Sequence, residues 1–133
     1  MAKIPIGTKG ESSLIVTSDI AISFLGVDGA RVLGTPFLIY NLEMTARNSV
    51  KPFLEDGFDT VGARVDVRHL AATPIGMRVT FRSEVTSVED RRLTFRVEAF
   101  DEKDKISEGR HERAIIQVTK FAARVQAKAL KIE

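Results

Sequence analysis

The chain has 133 residues, 44% of them hydrophobic and 29% charged, which fits one globular domain and excludes a disordered chain. It has no cysteine, so disulfide frameworks, thiolate nucleophiles, zinc–cysteine sites and iron–sulfur clusters are excluded, and a reducing cytoplasm suits it. Its 20 basic and 18 acidic residues leave a net charge of +2. The signs are interleaved, as in Glu89-Asp90-Arg91-Arg92, so no nucleic-acid partner is expected, because such a partner needs clustered cations.

Residues 1–10, with Pro5, Gly7 and Gly10, read as a loose N-terminal segment. Met1-Ala2-Lys3-Ile4-Pro5 does not resemble a signal peptide, and no apolar run approaches the roughly 20 residues of a membrane span. Glu11–Thr17 contains Leu14-Ile15-Val16 and reads as a short strand. Between 18 and 34, apolar residues are interrupted by glycines, which suggests one short helical turn and a flexible loop. A long helix is expected from Thr35, a capping residue followed by Pro36 at the first helical position, to the residue before Pro52.

The next stretch, 60–70, alternates with Val61, Ala63, Val65 and Val67 on the inward parity. Thr73-Pro74-Ile75-Gly76 is turn chemistry. Two further alternating strands run over 77–88 and through Leu93, Phe95, Val97 and Ala99. A last strand is expected over Ile106–Phe121, bulged near Gly109, then a short Ala-rich helix over Ala122–Leu130, with 122–133 as a C-terminal extension. One helix on an antiparallel sheet is an α+β arrangement. A single helix leaves an apolar face or an edge uncovered, so a partner subunit is expected.

Two polar residues break this pattern. Glu43 falls on the helical stripe of Ile39, Ala46 and Val50, and the inward strand parity ends on His69. A buried carboxylate is costly unless paired or hydrogen-bonded, and a facing imidazole is a suitable partner. Thr35, two turns before Glu43, adds a hydroxyl on the same side. Three such groups make an acyl-transfer or hydration site. The competing readings are a helix cap for Thr35, a solvent-reaching Glu43 and a structural His69. His111 and Arg113 sit in Glu108-Gly109-Arg110-His111-Glu112-Arg113, a charged stretch for which a surface strand end is the competing reading, and the one adopted for Arg110 and Glu112. Two histidines without HExxH spacing give no metal site.

Thr35-Pro36, Glu43, Thr60-Val61-Gly62, the run Val67-Arg68-His69-Leu70-Ala71-Ala72-Thr73-Pro74-Ile75-Gly76, Gly109-Arg110-His111-Glu112-Arg113 and Lys120-Phe121 occur in that order. Together they resemble the fluoroacetyl-CoA thioesterase-like branch of the hotdog-fold thioesterases, from about Val16 to Phe121. The resemblance implies a hotdog fold, a homodimer (or tetramer) with active sites at the subunit interface, and a Thr–Glu–His catalytic set matched here by Thr35, Glu43 and His69. In it Glu43 is base or nucleophile, His69 an acid or orienting group and Thr35 a hydrogen-bonding group.

By the same resemblance Gly62 and Arg113 lie near the acyl group and water, and the loop holding Ile22, Phe24, Leu25 and Val32 forms a lid. Apart from the resemblance, Phe24 and Phe37 are candidates to line the acyl pocket. The substrate implied is a small acyl-CoA, with no separate cofactor and no metal; the fluoroacetate specialisation is not carried over. The alternatives are a hotdog hydratase or dehydratase on acyl thioesters, and a non-enzymatic acyl-CoA-binding module using Arg64, Arg68 and Arg78 for the CoA phosphates.

Overall fold

The computed structural model describes residues 3–131. The expected loose N-terminal segment is tied down within that range. Ile4 is buried in the core, and backbone bonds join Gly7 to Val85 and Val85 to Thr8. Residues 1, 2, 132 and 133 of the expected termini lie outside the described residues. Strand β1 spans Lys9–Ile15. In the 18–34 segment two 3₁₀ turns form, Ser18–Ile20 and Asp28–Ala30. Isolated bridges of Ala21 to Leu33 and of Val32 to Pro74 hold this loop against the body.

Helix α1 spans Thr35–Val50, bracketed by the two prolines as expected. Its cap is Gly34 rather than Thr35, and no side chain caps it. The Thr35 hydroxyl is committed elsewhere. The strands that follow are β2 (Phe58–His69), β3 (Arg78–Glu89), β4 (Arg92–Phe100) and β5 (Lys105–Gln117). They form one antiparallel sheet with β1, in the order β1-β3-β4-β5-β2.

Leu38, Leu42, Ala46 and Val50 on α1 are buried against Phe81 and Val85 on β3 and Leu93, Phe95 and Val97 on β4. The alternation expected for β4 holds residue by residue: every odd position from Leu93 to Ala99 is buried. The opposite face is a lattice of ion pairs, among them Arg82–Glu11, Arg96–Glu84, Lys105–Glu98 and Arg92–Glu112. That lattice is where the interleaved charge of the sequence goes. The pairs are largely exposed and each adds little stability.

Three expectations about the strands need correction. The inward parity assigned to Val61 and Ala63 is wrong, because the β2–β5 register shifts between Gly62 and Arg64. Paired residues share a face. Thr60 and Gly62 therefore face inward with Ile115 and Arg113, and after the bulge Val65, Val67 and His69 do so with His111, Gly109 and Ser107. A bulge thus sits on β2 at Ala63, and the irregularity expected near Gly109 on β5 falls at Ile106, while Gly109 itself pairs in register with Val67 and Val97. The last strand ends at Gln117 rather than at Phe121, because the Gln117 side chain accepts from the Lys120 amide and caps helix α2, Val118–Ala129.

Candidate active site

Thr35 opens α1 at the point where the chain leaves the 18–34 loop, and His69 closes β2. Thr35 Oγ1 and His69 Nδ1 are hydrogen-bonded at 2.8 Å. Both line an open pocket of about 400 Å³ with Ile22, Phe24, Val32 and Leu33. His69 Nε2 is buried with no hydrogen-bond partner. Thr73, in the turn after His69, is fully buried and donates to Asp101. Its carbonyl receives the Leu33 amide. The turn therefore ties the 18–34 loop to the β4–β5 connection.

Glu43 lies two helical turns further along α1, about 12 Å at 1.5 Å per residue. Its side chain is 32% exposed, and Oε1 is 3.7 Å from Arg113 Nη1. A Cβ at Gly62 would come 2.5 Å from Glu43 Oε1, so only glycine lets the carboxylate lie this close to the β2 backbone. Among the described residues no hydrogen bond or ion pair joins Glu43 to His69. Within one chain the structure brings Thr35 to His69, and Glu43 to Gly62 and Arg113, as two separate clusters. Of the expected pocket residues, Phe24 lines the cavity, while Phe37 is exposed beside Gly34 and does not. Arg64 and Arg68 lie on β2 but Arg78 on β3, three strand spacings or about 14 Å away, so they form no single phosphate-binding patch.

His111 is the residue the sequence reading missed. It and Arg113 are 1% and 5% exposed, whereas Arg110, read as surface, is exposed and Glu112, read likewise, is half-buried. Arg113 donates from Nε to Thr60 Oγ1 (2.7 Å) and from Nη2 to the Thr60 carbonyl (2.8 Å). Its Nη1 donates to His111 Nε2 (3.1 Å). Counting back by twos from inward-facing Ile115 reaches both residues, and that was the available signal.

Burial pushes the His69 imidazole below its ordinary pKa, partly offset by the Ala71 backbone. Burial does the same to His111; the Arg64 carbonyl and Glu43 oppose it, and the Arg113 cation adds to it. The unfolded chain thus takes up protons where the folded chain resists them. Stability from these groups is fully present above a pH of about 6.5 and is lost as pH falls below it. The melting temperature is expected to drop between about pH 7 and 5.5, and less steeply in a His69→Gln/His111→Gln double variant. An equal slope in both proteins would contradict this.

Residues 16–119 match the family model described as fluoroacetyl-CoA-specific thioesterase, FlK. The chain belongs to this family. It is 43% identical over 97 residues to the fluoroacetyl-CoA thioesterase of Streptantibioticus cattleyicolor, covering 73% of this chain and 70% of that protein. Among solved structures, the fluoroacetyl-CoA thioesterase FlK superposes with a TM-score of 0.86 at 34% identity, covering 95% of this chain and 98% of that one. A thioesterase superfamily member from Thermus thermophilus gives 0.88 at 33% identity over the whole of both chains. The fold is therefore the hotdog fold, with α1 as its central helix, and the protein is a thioesterase, a hydrolase of thioesters. No helix among the described residues is long and apolar enough to cross a membrane.

Proposed function

We propose that the protein hydrolyses the thioester of a small acyl-CoA at a site assembled from two copies of the chain, with Glu43 of one copy facing Thr35 and His69 of the other. The observation that carries this is the Thr35–His69 hydrogen bond at a pocket lined mostly by aliphatic and aromatic residues, with His69 Nε2 buried and unpaired. A neutral imidazole oriented by a hydroxyl, with its second nitrogen free, can pass a proton to a leaving sulfur. Glu43 acts as base on water, or as nucleophile, at the acyl carbon.

In the base form, water oxygen bonds to that carbon and one water proton goes to Glu43. The carbon–sulfur bond then breaks, and the proton returns to sulfur through His69. Backbone N–H groups at the start of α1 and near Gly62 stabilise the developing oxyanion, where each such donor is worth about 3 kcal/mol. The positive end of the helix dipole acts in the same sense.

Two copies are invoked because β2 is a twelve-residue edge strand. Its mid-strand apolar residue Val65 is 39% exposed, and an open edge of that length invites a second strand. The lid residues Phe24 and Leu25, 80% and 56% exposed, are likewise apolar surface for an acyl group and a second copy to cover. The identity to a fluoroacetyl-CoA thioesterase and the likeness to a relative in complex with fluoroacetate and CoA support a short acyl chain.

The test is thiol release from a panel of short, branched and aromatic acyl-CoAs. Turnover of the short members with free CoA as product is expected. Hydration of an enoyl-CoA without thiol release would instead make the protein a hydratase, and binding without turnover would make it a binding module.

A further inference from the structure

His111 is a buried titratable group that the proposed reaction does not use, yet it touches both structures that surround Glu43. We infer that His111 is a positioning residue: held as the neutral Nδ1–H tautomer between the Arg64 carbonyl and the Arg113 guanidinium, it fixes the β2 bulge and the Arg113 side chain against the Glu43 carboxylate. The inference rests on the reading of Glu43 given above.

The tautomer follows from the partners. His111 Nδ1 is 2.8 Å from the Arg64 carbonyl oxygen, which can only accept, so Nδ1 carries the hydrogen. Nε2 is 3.1 Å from Arg113 Nη1, which can only donate, so Nε2 carries the lone pair. The imidazolium would keep the first bond and set two N–H groups against each other at the second. The ring cannot turn away, because it is buried and stacks on Phe95 at a centroid distance of 6.0 Å and 28°.

Both bonds bear on Glu43. Arg64 and Gly62 flank the bulge at Ala63, so tying the Arg64 carbonyl to β5 sets how closely the Gly62 backbone approaches Glu43 Oε1. With Thr60 holding Nε and Nη2, and His111 holding one hydrogen of Nη1, the guanidinium has a single orientation. It is the one that leaves Nη1 3.7 Å from Glu43 Oε1. The charged groups around the ring are Arg113 on β5 and Glu43 on α1; Glu112 points to the other face, where it pairs with Arg64 and Arg92.

The test separates the two bonds. In His111→Asn the amide takes the place of Nδ1 and donates to Arg64, but nothing accepts from Arg113. In His111→Gln the amide oxygen reaches the place of Nε2 and accepts from Arg113. Thiol release with a short acyl-CoA is expected to show kcat at least about 10-fold lower for Asn, which frees the Arg113 guanidinium beside the carboxylate, and about 3-fold lower for Gln, which frees the Arg64 carbonyl at the bulge, with KM little changed in both. Equal rates for the two variants overturn the inference while leaving the Glu43 reading intact, provided Glu43→Gln is slow. A wild-type rate in Glu43→Gln overturns both. Should either His111 variant fail to fold, the imidazole ¹⁵N spectrum of the wild-type protein decides: a protonated Nδ1 and bare Nε2 at pH 7 are expected, and the opposite tautomer overturns the inference.

Discussion

Glu43→Gln and His69→Ala are each expected to slow thiol release from a short acyl-CoA at least about 100-fold, the lower part of the range for groups that move protons in the transition state. Gln is nearly the same shape as Glu and fits against Gly62, where a Cβ would be 2.5 Å from the carboxylate oxygen. It keeps the packing and removes the base. His69→Ala deletes the proton path and leaves the Thr35 hydroxyl without its 2.8 Å partner. The melting temperature of Glu43→Gln should fall only slightly, because the carboxylate's ion pair to the buried Arg113 is long, 3.7 Å, and Gln keeps a polar oxygen beside the guanidinium. That separates lost chemistry from lost fold. Wild-type rates in both variants would mean that the reaction is carried by other groups.

Gly109→Ala is expected to destabilise the fold by at least about 2 kcal/mol, because the added methyl has nowhere to go. Gly109 stands in the middle of β5, paired on one side with Val97 and on the other with Val67. A Cβ there would meet the Asp66 carbonyl oxygen and come 2.6 Å from the Val67 Cα. These are backbone atoms of a neighbouring strand and cannot swing aside like the end of a side chain. Relief requires β2 to move. Because β2 carries both Gly62 and His69, activity should fall along with stability. Urea denaturation measures the first through the midpoint at an unchanged slope. A loss below about 0.5 kcal/mol would contradict the close approach of the Val67 backbone to Gly109.

Most of the fold could be read from local chemistry. Pro36 and Pro52 bracket α1, and strict alternation from Leu93 to Ala99 marks β4, because both signals arise from the backbone period that the element itself imposes. The β2 bulge could not be read that way. Val61, Ala63, Val65 and Val67 keep an unbroken apolar alternation in sequence, while the register shift at Ala63 changes the parity facing α1.

The end of β5 was hidden for a similar reason. Val118 and Phe121 suit a strand as well as a helix, and the deciding group, the Gln117 side chain on the Lys120 amide, is a local contact that no periodicity carries. Of the candidate site, Glu43 and His69 stood out because they interrupt apolar stripes. His111 did not, because it lies in a run of charged residues where burial of every second one leaves no contrast. The division of Thr35–His69 and Glu43 into two clusters was beyond the sequence altogether, since it depends on how far along α1 each strand of the sheet crosses.

That division makes mixed dimers the most direct measurement of the central claim. Glu43→Gln and His69→Ala chains carrying different tags are co-expressed, and the dimer holding one of each is isolated. If Glu43 of one copy works with Thr35 and His69 of the other, each mixed dimer contains one site with every group intact and one lacking both. It is then expected to release thiol at about half the wild-type rate, far above either parent. A mixed dimer no faster than its parents would contradict the shared site.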